Sequence, residues 1–256
     1  MTAVRFRTSR SLPRARRVRT AFVAWLVAGG GLLAGSALRA EPLVSQPGST
    51  MSLAGKASLW DWSCESRTVQ AMADPGVPFH AVKALLSGLR PDAGGTLSAE
   101  SALLPQSPPR GRVRIAVEDV DCGNRTMERD LQRALGADRF PEVTYTFERL
   151  QGTSVRNEGG RPVLVLHTLG AIAMAGEQRI REVDVRVGLG ENGTLRVDSE
   201  FRIFMSEFGV EPPTAMLGML RARDEVQIAF RLLLGPDLSE VPAADFAGPA
   251  LRRGAR

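Results

Sequence analysis

Side chains that could carry out chemistry are few in this chain of 256 residues. It contains two histidines, His80 and His167, and two cysteines, Cys64 and Cys122. A zinc site would need both cysteines and a histidine, at spacings that match no standard zinc motif. His167 lies in an apolar run, where a hydrogen-bonded structural histidine is more common than a catalytic base. We therefore predict no metal site.

The acidic cluster Glu118, Asp119 and Asp121 precedes Cys122 directly. An acid pair could act in acid/base catalysis, but carboxylates at a strand end more often face water or cap a turn. The chain has no Gly-x-Ser-x-Gly nucleophile elbow, P-loop, dinucleotide fingerprint or His-Glu-x-x-His sequence. We predict no catalytic residue and no cofactor, and we do not expect an enzyme.

The first 40 residues have the composition of an export signal. They contain eight arginines and no acidic residue, and an apolar run extends from Ala21 to Leu38 before small residues. This pattern predicts a signal peptide cleaved after Ala37 or Ala40, and hence a periplasmic or otherwise exported protein. The alternative is an uncleaved membrane anchor, for which a run of 18 residues is just long enough.

The net charge of +5 comes from this leader, because the remaining residues hold 25 basic and 28 acidic side chains. A mildly acidic domain gives no reason to expect a nucleic-acid partner.

In an oxidising compartment, a pair of cysteines is usually bonded, so we predict a Cys64–Cys122 disulfide. The alternative is a reactive thiolate at Cys122, just before a predicted helix.

Apolar and polar residues alternate along several segments, with a period of two. This pattern indicates antiparallel strands with one buried face. It occurs in residues 112–117, 143–147, 183–187, 195–205 and 226–232. Asn192-Gly193 predicts a hairpin turn between two of these strands, and the stretch from Pro162 to Ala175, apolar on both faces, predicts a central strand.

Helical signals are limited to two places. Asn124 is a good N-cap for a short helix that Gly136 would end. A weaker candidate runs from Phe79 to Leu89, inside a segment from Asp74 to Arg110 that is rich in proline, glycine and serine and that we interpret as a long loop excursion. Residues 236–256 show no periodicity and are interpreted as a disordered tail.

These elements predict an all-β fold, a closed antiparallel eight-stranded barrel with one short helix. Closure removes exposed sheet edges, and a barrel of this size is either filled by its own side chains or holds one slender ligand. The predicted strand 195–205 has charged residues at its even-numbered positions, Arg196, Asp198, Glu200 and Arg202. These charges would be buried without partners if they faced inward, so the odd-numbered residues of this strand face the interior. The predicted ligand-binding wall consists of Tyr145, Phe147, Leu195, Val197, Phe201, Ile203, Met205, Ile228 and Phe230.

Several short segments, taken together and in order, resemble the YceI-like lipid- and polyisoprenoid-binding family. They are Gly55–Trp62, Asp121–Met127, Phe140–Tyr145, Met205–Pro213 and Asp224–Ile228. The resemblance covers about residues 50–235 and implies a lipocalin-like periplasmic barrel with a long-chain isoprenoid inside and no catalytic residue. Together with the patterns above, this gives a predicted signal peptide at 1–40, a YceI-like barrel domain at 41–235 with the loop excursion at 74–110, and a disordered tail at 236–256.

We therefore expect a carrier or storage protein for an apolar isoprenoid or other lipid, which contacts membranes only transiently. Two alternatives stay open. One is a structural or interaction barrel whose interior is filled by Tyr145, Phe147, Phe201 and Phe230. The other is a thiol-dependent protein that uses Cys122.

Overall fold

Segments with alternating polarity form long antiparallel strands in the computed structural model, which describes residues 42–59, 61–89, 107–215 and 220–237. The strands are β1 Leu43–Ser45, β2 Thr50–Ala57, β3 Asp61–Ser66, β4 Gln70–Asp74, β5 Arg110–Ala116, β6 Glu142–Glu158, β7 Arg161–Met174, β8 Glu177–Leu189, β9 Leu195–Phe204, β10 Thr214–Ala215 and β11 Leu220–Pro236. The helices are α1 Phe79–Gly88 and α2 Arg125–Leu135. Three 3₁₀ turns are Val117–Asp119, Glu191–Gly193 and Met205–Phe208.

The sheet closes on itself as an antiparallel barrel. Strands β4 to β9 pair in the order β4-β5-β6-β7-β8-β9, and β9 pairs with β11. The other edge of β11 pairs with β1 and with β2, while β1 also pairs with β4, which completes the ring. Strands β1 and β2 pair with successive parts of the same edge of β11, so they count as one bent strand. In the same way, β4 pairs with β1 and β3 pairs with β2, so β3 and β4 count as the next strand. The ring therefore has eight members. The predicted fold class is confirmed.

The barrel has two different ends. At the α1 end, α1 connects β4 to β5; at the α2 end, α2 connects β5 to β6. Side chains fill the interior at the α2 end, where the buried residues include Ile115, Ile172, Met174, Ile203, Phe208 and Val226. Met127, Leu131 and Leu135 of α2 pack against this cluster. The α2 end is therefore a conventional hydrophobic core.

Helix α2 begins and ends at the predicted residues. The Asn124 side chain accepts hydrogen bonds from the backbone N–H groups of Thr126, at 2.8 Å, and Met127, at 3.3 Å. Gly136 ends the helix in the left-handed conformation, with φ of 62°. These two caps satisfy backbone groups that a helix leaves free at its ends.

The described residues contain two helices, α1 and α2. Only α2 was well supported by the sequence. Val82 and Leu86 of α1 are buried, and the helix packs against β7 and β8. The segment from Asp74 to Arg110 is thus partly a packed element and not only a surface excursion. The weaker helix candidate, predicted from Phe79 to Leu89, is present as α1.

The predicted disulfide joins Cys64 of β3 to Cys122, just before α2, and this prediction is confirmed. The adjacent residues Glu65 and Asp121 form a β-bridge, with backbone N–H to O distances of 2.7 and 2.8 Å. The covalent bond therefore holds the β5–α2 connection against the barrel wall.

No helix in the described ranges has both the length and the apolar character needed to cross a membrane. The predicted signal peptide, the central part of the 74–110 segment (residues 90–106) and residues 238–256 of the predicted tail lie outside the described residues.

Candidate functional site

A cavity of about 780 Å³ occupies the α1 end of the barrel. Its wall is formed by residues from β1, from β4 to β9 and from β11, and α1 contributes Val82 and Leu85. Most of these side chains are valine, leucine or phenylalanine. The interior of the barrel is thus packed at one end and open at the other.

Most of the predicted wall residues line this cavity. The six that do are Tyr145, Phe147, Leu195, Val197, Phe201 and Phe230. The other three, Ile203, Met205 and Ile228, are buried in the packed α2 end. Alternation identifies the inner face of a strand, but this face continues from the cavity into the core. Ligand contact by the six cavity residues stays a prediction.

The strand predicted as Leu195 to Met205 is one residue shorter in the structure. It ends at Phe204, and Met205 opens the 3₁₀ turn Met205–Phe208. Met205 is 7% exposed and packs within the core. Gly209, with a positive φ of 67°, ends this turn.

Several wall residues were not in the predicted site. Leu164 and Leu166 come from β7, and Val183, Val185 and Val187 come from β8. The alternation in β8 carried the signal that could have identified its three valines. In β7, apolar residues on both faces hide which of them point inward.

The cavity reaches the protein surface beside β6. Leu150 lines the cavity, yet 44% of its surface is exposed. The pairing of β6 with β7 shifts twice here, between Phe147 and Arg149 and between Leu150 and Gly152. Such bulges bend a strand and interrupt its ladder. The bulged part of β6 therefore forms one side of the cavity opening.

Hydroxyl groups form a small polar network on the inner wall. The Tyr145 hydroxyl lies 3.1 Å from Oγ1 of Thr168, and Thr168 donates to the carbonyl oxygen of Val183 at 2.7 Å. Ser199 donates to the carbonyl oxygen of Asp184 at 3.0 Å. Burial raises the pKa of the Tyr145 phenol above its ordinary value of 10.0, and the hydrogen bond to Thr168 opposes this rise.

The histidine of the apolar run is hydrogen-bonded, as predicted. Nδ1 of His167 lies 2.7 Å from a carboxylate oxygen of Asp184, and Nε2 lies 3.0 Å from the hydroxyl of Ser154. Since a carboxylate only accepts, Nδ1 donates to Asp184. Arg156 lies 3.7 Å from the same carboxylate.

This Ser154–His167–Asp184 group has the hydrogen-bond order of a serine hydrolase triad, but it faces away from the cavity. Successive side chains of a strand point to opposite faces. The cavity wall uses Leu166 and Thr168, the neighbours of His167 on β7. A ligand in the cavity therefore cannot reach the three side chains.

Charged residues of β9 lie on the outer face, as the alternation predicted. Arg196 and Arg231 both pair with Asp198, at 2.7 and 3.6 Å, and Arg202 pairs with Glu225 at 3.4 Å. The outer face of β9 is thus polar and paired, while its inner face is apolar.

The segment after β9 is held by two polar contacts. Glu207 forms a salt bridge with Arg181 of β8, and Ser206 donates to the Asp224 carboxylate of β11. The hydrogen bond from Arg181 lowers the pKa of Glu207 below its ordinary value of 4.5. Phe208, in the same turn, is 1% exposed. This turn closes the α2 end.

A family model described as the YceI-like domain matches residues 77–234, well over half of the chain. The chain belongs to the YceI-like family. The match begins after β4, so the YceI-like barrel of this protein is completed by β1 to β4, which precede the matched residues.

Solved structures include barrels similar to this YceI-like domain. A polyisoprenoid binding domain from Saccharophagus degradans, implicated in plant cell wall breakdown, is 9% identical with a TM-score of 0.51, over 78% of this chain and 100% of that one. BcnA from Burkholderia cenocepacia is 16% identical with a TM-score of 0.46, over 73% and 96% of the two chains. The Campylobacter jejuni YceI protein is 18% identical with a TM-score of 0.39, over 51% and 73%.

At 9% identity, the likeness to the Saccharophagus degradans domain shows the barrel fold. No curated protein sequence matches this chain.

Proposed function

We propose that this YceI-like domain binds an apolar long-chain ligand, an isoprenoid or another lipid, in the cavity at the α1 end. The observation that carries the proposal is the cavity itself, with a volume of about 780 Å³ and a wall made mainly of valine, leucine and phenylalanine. Cavities of this size and composition are typical sites for apolar small molecules.

Burial of the chain supplies the binding energy. Each methylene group that moves from water to an apolar site contributes about 0.8 kcal/mol. A chain that fills the cavity is therefore retained without many specific polar contacts. The Saccharophagus degradans domain, named for polyisoprenoid binding, has the same fold and supports this choice of ligand class.

The proposal includes export. The arginine-rich start and the apolar run of residues 21–38 support a signal peptide and a periplasmic location. In that compartment the domain acts as a carrier or store, and it contacts membranes only while it exchanges its ligand. It uses no cofactor and carries out no chemistry on the ligand.

The alternative of a filled barrel assigned four aromatic side chains to the interior. Phe201 and Phe230 stack with ring centroids 6.2 Å apart, and both line the cavity together with Tyr145 and Phe147. The aromatic residues form part of the wall and leave the central space open, so they favour the ligand-binding proposal over the filled barrel.

Mass spectrometry of organic extracts tests the proposal. The protein is purified from a cell envelope fraction, extracted with organic solvent, and compared with an unrelated exported protein purified in the same way. We expect one class of apolar chain, in a constant ratio to protein and absent from the control. An extract that matches the control would contradict the proposal, provided that the purified protein also takes up no added isoprenoid.

A further inference from the structure

Three hydroxyl groups on the inner wall, those of Tyr145, Thr168 and Ser199, make hydrogen bonds that fix where their protons point. A threonine hydroxyl has one proton to donate and two lone pairs to accept with. The proton of Thr168 is directed to the carbonyl oxygen of Val183, 2.7 Å away, and a carbonyl oxygen can only accept. Thr168 therefore has only acceptor capacity left.

This assignment fixes the direction of the next hydrogen bond. Tyr145 and Thr168 are 3.1 Å apart, and since Thr168 has no second proton, Tyr145 donates. Burial keeps the phenol protonated, because it raises the pKa of Tyr145. Ser199 likewise gives its proton to the carbonyl oxygen of Asp184, at 3.0 Å. All three residues line the cavity. After these bonds each hydroxyl oxygen keeps a lone pair, and none has a proton left to donate to a ligand.

Tyr145 cannot easily turn away from this arrangement. Its ring lies against Gly170 of β7, where a Cβ atom would meet the ring carbon atoms at 2.1 and 2.3 Å. Thr168 is 2% exposed and Ser199 is 7% exposed. The network is thus held by packing before any ligand arrives.

We propose that the part of the cavity wall formed by Tyr145, Thr168 and Ser199 favours apolar ligands that carry a hydrogen-bond donor, such as the hydroxyl of an isoprenoid alcohol or a phenol, over ligands with acceptors only. This inference rests on the proposed ligand-binding function. A donor on the ligand satisfies lone pairs on the wall, whereas an ether or ketone oxygen faces them with lone pairs of its own. One neutral hydrogen bond of this kind corresponds to about a fivefold difference in affinity.

A matched pair of ligands tests the inference. Geranylgeraniol and its methyl ether share the same apolar chain, but only the alcohol donates a hydrogen bond. Their affinities for the purified protein, stripped of lipid, are measured by displacement of the fluorescent apolar probe N-phenylnaphthylamine. We expect the alcohol to bind about fivefold more tightly than the ether.

Variants of Thr168 show whether the network is the cause. In Thr168→Val the Tyr145 proton loses its acceptor and becomes available to an ether oxygen, so the preference for the alcohol should fall. Thr168→Ser keeps the hydroxyl and should retain the preference. Circular dichroism verifies that both variants are folded.

Three results would overturn the inference. Equal affinities in the unaltered protein would overturn it alone, because both ligands would still bind. A preference that survives unchanged in folded Thr168→Val would show that the network is not its cause. Failure of both ligands to displace the probe would remove the proposed function and the inference with it.

Discussion

The Tyr145 ring lies directly against the backbone of Gly170 on the neighbouring strand. The two residues are not opposite each other in the register, since Tyr145 pairs with Ile172 and Gly170 pairs with Phe147. The Tyr145 ring therefore leans along β7 and lies over Gly170, which has no side chain to obstruct it. This places the phenol within hydrogen-bonding distance of Thr168 and at the floor of the cavity.

Gly170→Ala should destabilise the protein by about 1 to 3 kcal/mol, the usual effect of overpacking in a core. The added Cβ atom would overlap the Tyr145 ring and displace it from Thr168. Urea unfolding followed by circular dichroism measures the change. Gly188→Ala is the matched control on β8, because its Cβ would meet no atom within 4 Å. Equal stabilities of the two variants would contradict close packing of the Tyr145 ring on Gly170.

The barrel could be predicted from the sequence because alternation is a local property of each strand. In β8 and β9 it identified the inner faces, including Val183 and Val197, without knowledge of the strand order. It could not locate the cavity along the barrel axis. Phe201 and Ile203 are adjacent on the same face, yet Phe201 lines the cavity and Ile203 is 2% exposed in the packed core.

Other features depend on contacts that no local pattern encodes. The two bulges of β6 change the register after Phe147, so the faces of Leu150 to Thr153 cannot be assigned by counting residues. Thr168 and Ser199 are polar residues on an inner face, and each interrupts the apolar pattern that identifies such a face. Their hydrogen bonds to backbone carbonyls of β8 explain why burial is tolerated.

Loss of the Cys64–Cys122 disulfide should lower the free energy of unfolding. The bond closes a loop with a sequence separation of 58 residues, for which the chain-entropy treatment gives about 4 kcal/mol. Unfolding midpoints with and without reductant measure the difference. A Cys64→Ala, Cys122→Ala double variant should unfold at the reduced midpoint in both conditions. Free thiols titrated in the denatured, unreduced protein would contradict the bond.

Stability should fall in acid partly through Glu207. The pKa of this carboxyl is lowered in the folded protein, so the unfolded chain takes up its proton first as the pH decreases through 4.5. The contribution of the Arg181–Glu207 pair is present above that pH and is lost below it. Glu207→Gln and Arg181→Gln should both flatten the acid limb of a plot of unfolding midpoint against pH. An acid limb unchanged in both would contradict the assignment.

Ser154 should not behave as a catalytic nucleophile. Its hydrogen bond to His167 is part of an outer-face ladder that ends at Asp184, and the ligand cavity lies on the other side of the sheet. We expect a fluorophosphonate probe to label the protein no more than it labels Ser154→Ala. Labelling that is lost in both Ser154→Ala and His167→Ala would instead identify a hydrolase site on this face.

Two adjacent residues of β9 provide a direct comparison between the faces of the barrel. Phe201 lines the cavity and stacks on Phe230, whereas Arg202 is on the outer face beside Glu225. Phe201→Asp introduces a charge into the apolar wall, where an unpaired charge is strongly unfavourable. Arg202→Ala leaves the wall unchanged. Val185→Trp narrows the same cavity without a charge and serves as a second variant if Phe201→Asp does not fold.

The decisive measurement is the amount of lipid that copurifies with each of these folded proteins, determined by mass spectrometry of organic extracts. We predict the same lipid content in the unaltered protein and in Arg202→Ala, and its loss in Phe201→Asp and Val185→Trp. Equal lipid content in all four folded proteins would contradict a ligand site inside the barrel.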